Sequence, residues 1–304
     1  MENQTTVPYF LLLEFSKNQH LQILHFFFFF LLYVATVIAN LLIISVVAID
    51  HRLHSPMYFF LMNLGLQDLG IVSVIVPKSI INSLMDTSHI SYFGCVTQYF
   101  LFLFFEICDF FLLTVMAYDW YVAICHPLHY ELVMNWKYCT EIIILVWVSS
   151  LLCGMLHTTG TFSIPFCSNV VNQFFCEIPQ LLNLSCSGIN RLEFGILVAN
   201  VIVLLGCFTF IIVSYAVIFK TVLRIPSEKG RQKALSTCIP HLTVVFMLVF
   251  TACIAYLRPS SNTPSYLDIG LTVLYALLPP LFNPIIYSMR NQNIKCVLSK
   301  LWRF

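Results

Sequence analysis

Charge is what this chain lacks. Its 304 residues hold 15 Lys and Arg and 14 Asp and Glu, 10% of the total, for a net charge of +1. So small a charged fraction cannot cover a soluble fold of this length, and so even a balance offers no basic surface to nucleic acid. Catalytic motifs are missing too: there is no GxSxG, HExxH or Walker-type sequence, and His51/His54 and His126/His129 have no supporting cysteine or acid cluster. An enzyme is not expected. The run 268–289 contains no lysine, which excludes a retinal Schiff base there. Barrel-type alternation is absent, since runs such as Phe26–Leu32 are continuously apolar. No internal repeat or polar pathway through several helices suggests a channel or transporter. No basic region leads the first apolar run, which is too long for a signal-peptide core, so an uncleaved anchor is expected.

What the chain does have is apolar length. Hydrophobic residues make up 59% of it and the mean hydropathy is +0.87. Seven runs of spanning length lie near 24–49, 57–80, 95–121, 141–162, 194–220, 235–257 and 268–289. Each is long enough as a helix to cross a hydrocarbon core of about 30 Å. Helix is the default because lipid cannot satisfy the backbone. Pro77, Pro165, Pro240, Pro279, Pro280 and Pro284 lie in or at the ends of these runs, where they kink or finish helices. The expected fold is an all-α membrane protein, a seven-transmembrane helix bundle over 24–290. A tail, 1–23, precedes it, and a short amphipathic helix, 291–304, follows it with Ile294, Val297, Leu298 and Leu301 at helical spacing.

On that layout Arg52, Lys137, Lys220, Arg224, Lys229, Arg231, Lys233, Arg290, Lys295, Lys300 and Arg303 fall on one side. Only Lys17, Lys78, Arg191 and Arg258 fall on the other. The bias puts the N-terminus outside and the C-terminus in the cytoplasm of a multi-pass plasma-membrane protein. Asn3-Gln4-Thr5 is then a glycosylation acceptor, with Asn183-Leu184-Ser185 a second candidate. Of 12 cysteines, Cys95, Cys167, Cys176 and Cys186 fall on the oxidising side. Four allow three pairings, and spacing does not choose among them. The others are read as small buried apolar residues. Four acids lie in or at the edge of spans, Asp68, Glu106, Asp109 and Asp119, and intramembrane charge suggests function.

Several short sequences then fall into order. They are Leu53-His54-Ser55-Pro56-Met57-Tyr58-Phe59, Met116-Ala117-Tyr118-Asp119-Trp120-Tyr121-Val122-Ala123-Ile124-Cys125-His126-Pro127-Leu128, Lys233-Ala234-Leu235-Ser236-Thr237-Cys238 with His241, and Asn283-Pro284-Ile285-Ile286-Tyr287-Ser288. Together they resemble the vertebrate olfactory receptors, rhodopsin-like G-protein-coupled receptors, over essentially the whole chain. One residue departs from the pattern: the family has Asp-Arg-Tyr where this chain has Asp119-Trp120-Tyr121.

The resemblance implies disulfides Cys95–Cys176 and Cys167–Cys186, the second within a long loop that covers the bundle. It implies a pocket for small volatile molecules lined by Phe102, Leu103, Glu106, Ile107, Asn200, Val203, Val249, Ala252, Tyr256 and Ala276. Asp68 resembles the family's sodium-binding aspartate, Asp109 stands where Glu is usual, and Asn40 and Asn283 match polar partners. A sodium ion or a proton shared by Asp68 and Asp109 is therefore expected. Asp119, Trp120, Tyr121, Tyr215, His241, Asn283, Pro284 and Tyr287 match the switch that meets the G protein, a stimulatory olfactory-type heterotrimer. Trp120 brings one N–H where arginine brings five and a charge, so weak or absent coupling is expected. The alternatives are a folded but signalling-deficient receptor, or a receptor for another small lipophilic messenger.

Overall fold

In hydrocarbon every backbone amide must find its partner within its own segment, and the apolar runs are accordingly helical. The computed structural model describes residues 7–13, 19–85, 87–186, 191–257, 266–290 and 294. The long helices are α1 (Gln19–Ile49), α2 (Pro56–Met85), α3 (Tyr92–Cys125), α5 (Trp136–Phe162), α7 (Arg191–Val222) and α8 (Glu228–Leu257). Two shorter ones in series, α9 (Tyr266–Ala276) and α10 (Leu278–Arg290), complete a bundle of seven. Short helices α4 (Tyr130–Val133) and α6 (Ile178–Asn183) sit in the connections. The seventh run is thus interrupted at Leu277, just ahead of Pro279 and Pro280, as expected where two prolines remove successive N–H donors. Among the described residues, six helical stretches are long and apolar enough to cross a membrane, and Cys238–Ile254 of α8 adds a shorter apolar one.

Local chemistry sets the ends. Ser91 accepts from Gly94 N at 3.1 Å to start α3, and Asn135 accepts from Tyr138 N at 3.1 Å to start α5. Pro56 opens α2, where a missing N–H costs nothing. The long helices pack through one face and turn Leu24, Leu31, Leu84 and Leu145 outward, as a lipid-solvated surface requires.

The region read as a tail carries structure. Strand β1 (Tyr9–Leu12) pairs antiparallel with β2 (His89–Ser91), Phe10 opposite Ile90, and parallel with β3 (Val170–Val171), Leu12 beside Val171. The sheet order is β2-β1-β3, so the N-terminal strand is the middle one. Phe10 is fully buried, edge-on to Phe166 at 5.5 Å and stacked near Tyr92. Disulfides Cys95–Cys176 and Cys167–Cys186 both form at this end, as the family resemblance implies. Among the other cysteines, Cys108, Cys139 and Cys238 are buried and Cys125, Cys153 and Cys207 half-buried. Cys253 is exposed, which corrects the expectation that all the rest are buried. Asn3, Cys296 and all of 291–304 except Ile294 lie outside the described residues; Ile294 is helical and buried.

Candidate ligand pocket and switch region

Midway through the bundle the acids of α2 and α3 are buried with neutral amides. Asn283 of α10 donates its Nδ2 to both Asp68 oxygens, at 3.0 and 3.2 Å. Asn40 instead joins α1 to α10, donating to the carbonyls of Thr36 and Pro280 at 3.0 Å each. Asp109 is buried, and its Oδ1, the Asn283 Oδ1 and both polar atoms of Gln67 have no hydrogen-bond partner among the described residues. Such a density of unsatisfied oxygen and nitrogen is costly unless something polar fills the space. Glu106 is half-buried one turn away on α3, on the same face as Asp109.

Toward the end opposite the disulfides, Asp119 is buried and receives a 2.8 Å hydrogen bond from the Tyr130 hydroxyl of α4. Burial first, and then the Asp119 charge and hydrogen bond, push the Tyr130 hydroxyl pKa upward, so it remains a donor. The aspartate has a partner, but a neutral one. Trp120 is half-buried against the large apolar cluster, and its Nε1–H has no acceptor among the described residues. Tyr121 bonds its hydroxyl to His126 Nε2 at 3.1 Å. Across the bundle, Tyr215 of α7 stacks near His241 of α8 with centroids 5.5 Å apart, and His241 Nε2 lies 2.9 Å from the Leu113 carbonyl of α3. The Tyr215 and Tyr287 hydroxyls and His241 Nδ1 are buried without partners among the described residues, and Pro284 is buried between Asn283 and Tyr287. The residues matched to the family's switch thus lie on α3, α7, α8 and α10.

The ten lining residues divide. Phe102 and Ala276 are packed tightly with Phe174 and Phe175 of the long loop, Phe102 meeting Phe175 at 5.0 Å. Leu103, with Ile107 against it, joins the cluster around Cys95, Tyr99 and Phe166. Glu106, Asn200, Val249 and Ala252 are half-buried, Val203 is 46% exposed, and the Tyr256 side chain lies outside the described residues. Leu204 shares the line of Glu193, Asn200, Ile211 and Ile218 at helical spacing and is 41% exposed, as Val201, Ile202, Val203 and Leu205 beside it also are. The long loop is tied down over this end of the bundle, with Gln173 bonded to Thr272 at 2.6 Å, Tyr275 to Glu177, and Gln98 to the Cys176 amide at 3.0 Å.

A second buried polar group joins α3, α5 and α7. The Tyr99 hydroxyl is 2.7 Å from Thr161 Oγ1, which donates to Glu193 Oε1 at 3.1 Å. His157 Nδ1 is 3.4 Å from the same oxygen, and His157 Nε2 is met by Asn200 Nδ2. Tyr99, His157, Thr161 and Glu193 are all buried.

A family model described as "Olfactory receptor" matches residues 29–303. Human olfactory receptor 14A16 is 48% identical over 302 residues, covering 99% of this chain and 97% of its own. Human olfactory receptor 14C36 is 48% identical over 304 residues, covering 100% and 97%, and human olfactory receptor 14L1 is 46% identical, covering 98% and 92%. The chain belongs to the olfactory receptor family.

It is therefore an odorant-sensing G-protein-coupled receptor and a multi-pass membrane protein, not an enzyme. In this olfactory receptor the polar interior extends beyond Asp68 and Asp109 to the group around Glu193 and His157. Glu193 at the edge of the fifth run and His157 inside the fourth are the ionisable residues in apolar runs that signal it in the sequence.

Proposed function

We propose that the receptor binds small volatile molecules in the space between α3, α7, α8 and α9 beneath the roofing loop. Binding there biases the opposite end of the bundle toward a stimulatory olfactory-type G protein. The distribution of basic residues supports an extracellular N-terminus and a cytoplasmic C-terminus in the plasma membrane. Two disulfides at the N-terminal end support the same orientation, since they require an oxidising compartment. The half-exposed, mostly apolar faces with few polar anchors, Glu106 and Asn200, suit a small organic ligand.

Coupling is weak in this chain. The observation behind that reading is Trp120, whose indole N–H is buried without an acceptor among the described residues while Tyr130 takes the hydrogen-bonding place of a cation on Asp119. No guanidinium is available at that position to reach the G protein. The same observation favours a second reading, a folded receptor that binds without signalling. A cyclic-AMP reporter in cells co-expressing a stimulatory olfactory G protein separates the two, with an odorant panel and matched surface expression. Trp120→Arg is expected to raise the response at least about tenfold, the worth of about 1.4 kcal/mol in coupling. Equal responses from both forms would remove the coupling defect; silence from both at full surface expression would remove the signalling reading altogether.

A monovalent cation or a shared proton between Asp68 and Asp109 forms the third part of the proposal. The unpartnered oxygens of Asp109 and Asn283 fit such a guest, and two buried acids cannot both stay charged without one. Among the described residues no group of three or more His, Cys, Asp or Glu is placed to hold a metal, so the donors are two carboxylates and neutral amides. Sodium is expected to raise the thermal stability of the purified receptor, and the Asp68→Asn, Asp109→Asn double variant to lose that dependence.

A further inference from the structure

Two side chains of α5 converge on one oxygen of Glu193. Tyr99 is bonded to Thr161, Thr161 donates to Glu193 Oε1, and His157 Nδ1 faces the same oxygen. The other imidazole nitrogen, Nε2, meets the Asn200 amide nitrogen. The Glu193 carboxylate can only accept, so the ring proton sits on Nδ1, Nε2 is left as the acceptor, and the amide face it meets must be the NH2. The carboxylate thereby fixes, through the imidazole, which way round the Asn200 carboxamide stands. Its Oδ1 is turned away from His157. Four members of the relay are buried and Asn200 is half-buried, so Asn200 is the one member of the relay that a ligand could touch. On the pocket reading above, its carboxamide faces the space between α3, α7, α8 and α9.

We infer that Asn200 Oδ1 is a fixed hydrogen-bond acceptor in the ligand pocket, held by the Glu193–His157 relay, and that the receptor selects small apolar molecules carrying a hydroxyl donor. Alcohols and phenols are bound in preference to aldehydes and ethers of the same size. This rests on the pocket reading above. Asn200 is the contact, while Tyr99, Thr161, His157 and Glu193 are positioning residues. An analogue without the donor leaves a partly buried acceptor unpaired, which costs about tenfold in affinity. In Glu193→Gln, the new amide is able to donate to Nδ1. Its carbonyl can equally accept from Nδ1–H, so the tautomer and the Asn200 amide orientation are no longer fixed. The hydroxyl preference shrinks.

Two measurements on the purified full-length receptor test this. Nitrogen-15 NMR of histidine-labelled protein, with His157→Gln to assign the signal, reads the tautomer without any ligand. The Nδ1–H form is expected, and an Nε2–H or doubly protonated ring at neutral pH overturns the relay. Thermal unfolding is then followed with straight-chain alcohols and phenols, each matched with its aldehyde or methyl ether. Wild type is expected to favour the hydroxyl member about tenfold, Asn200→Leu to lose that preference while keeping the apolar contribution, and Glu193→Gln to shift it toward the aldehydes. A preference that is absent in wild type, or that survives in Asn200→Leu, overturns the inference. If no probe shifts unfolding, the pocket reading itself fails and takes the ligand class with it; an intact Nδ1–H signal distinguishes that failure from failure of the relay.

Discussion

A buried carboxylate takes the donor that geometry brings to it, and at Asp119 that donor is a tyrosine from a four-residue helix in the connection after α3. Removing it leaves the acid without its hydroxyl. Tyr130→Phe is expected to lower stability by about 1–3 kcal/mol, read as a fall in the thermal unfolding midpoint of the detergent-solubilised receptor. The sign with pH follows from the raised Tyr130 pKa. The protonated hydroxyl is the stabilising form, so its contribution is full below the unfolded value of about 10 and falls away above it. The difference between wild type and Tyr130→Phe is therefore expected to shrink in strong alkali. A midpoint unmoved by the substitution would mean that Asp119 has another donor. Nothing in the spacing of Asp119 and Tyr130 announces this bond. The motif resemblance drew attention to the neighbouring Trp120 instead, because the expected partner was a cation.

Elements meet through residues whose role is to be small. Gly160 of α5 faces the Glu193 carboxylate of α7 so closely that a Cβ there would overlap it. Gly160→Ala is expected to cost about 1–3 kcal/mol through overpacking and to displace the Glu193 carboxylate, with thermal unfolding as the measure. Shortening the acid in the same chain, Glu193→Ser, is expected to restore part of the loss; a double variant no better than the single would show that the clash lies elsewhere. The helices themselves were legible, because long apolar runs in lipid have one structural solution. So were the disulfides once the family pattern was recognised. The Tyr99–Thr161–Glu193–His157–Asn200 relay was not, since its members come from three helices and no local periodicity brings them together.

At the scale of the whole receptor, the disulfide-bearing end is roofed by segments far apart in sequence. Phe10 is its apolar anchor, and Phe10→Ala is expected to cost about 3–5 kcal/mol, with unfolding and surface abundance falling together. Opening Cys167–Cys186, which closes a loop of 19 residues, by a double substitution to serine is expected to cost about 3 kcal/mol. Unchanged surface abundance in both would show that the roof is dispensable for folding. No reading of a single segment reveals the sheet, because four residues of β1 look like any short apolar stretch until both partners are beside them.

The order of that sheet also sets an order in time. Strand β1 leaves the ribosome first, its partner β2 about eighty residues later, and β3 about eighty after that. Until β2 and Tyr92 emerge the Phe10 face has nothing to rest on, and until β3 follows, after α5 has been made, the strand is covered on one side only. A quality-control system that recognises uncovered aromatic strands therefore has an early view of every nascent copy.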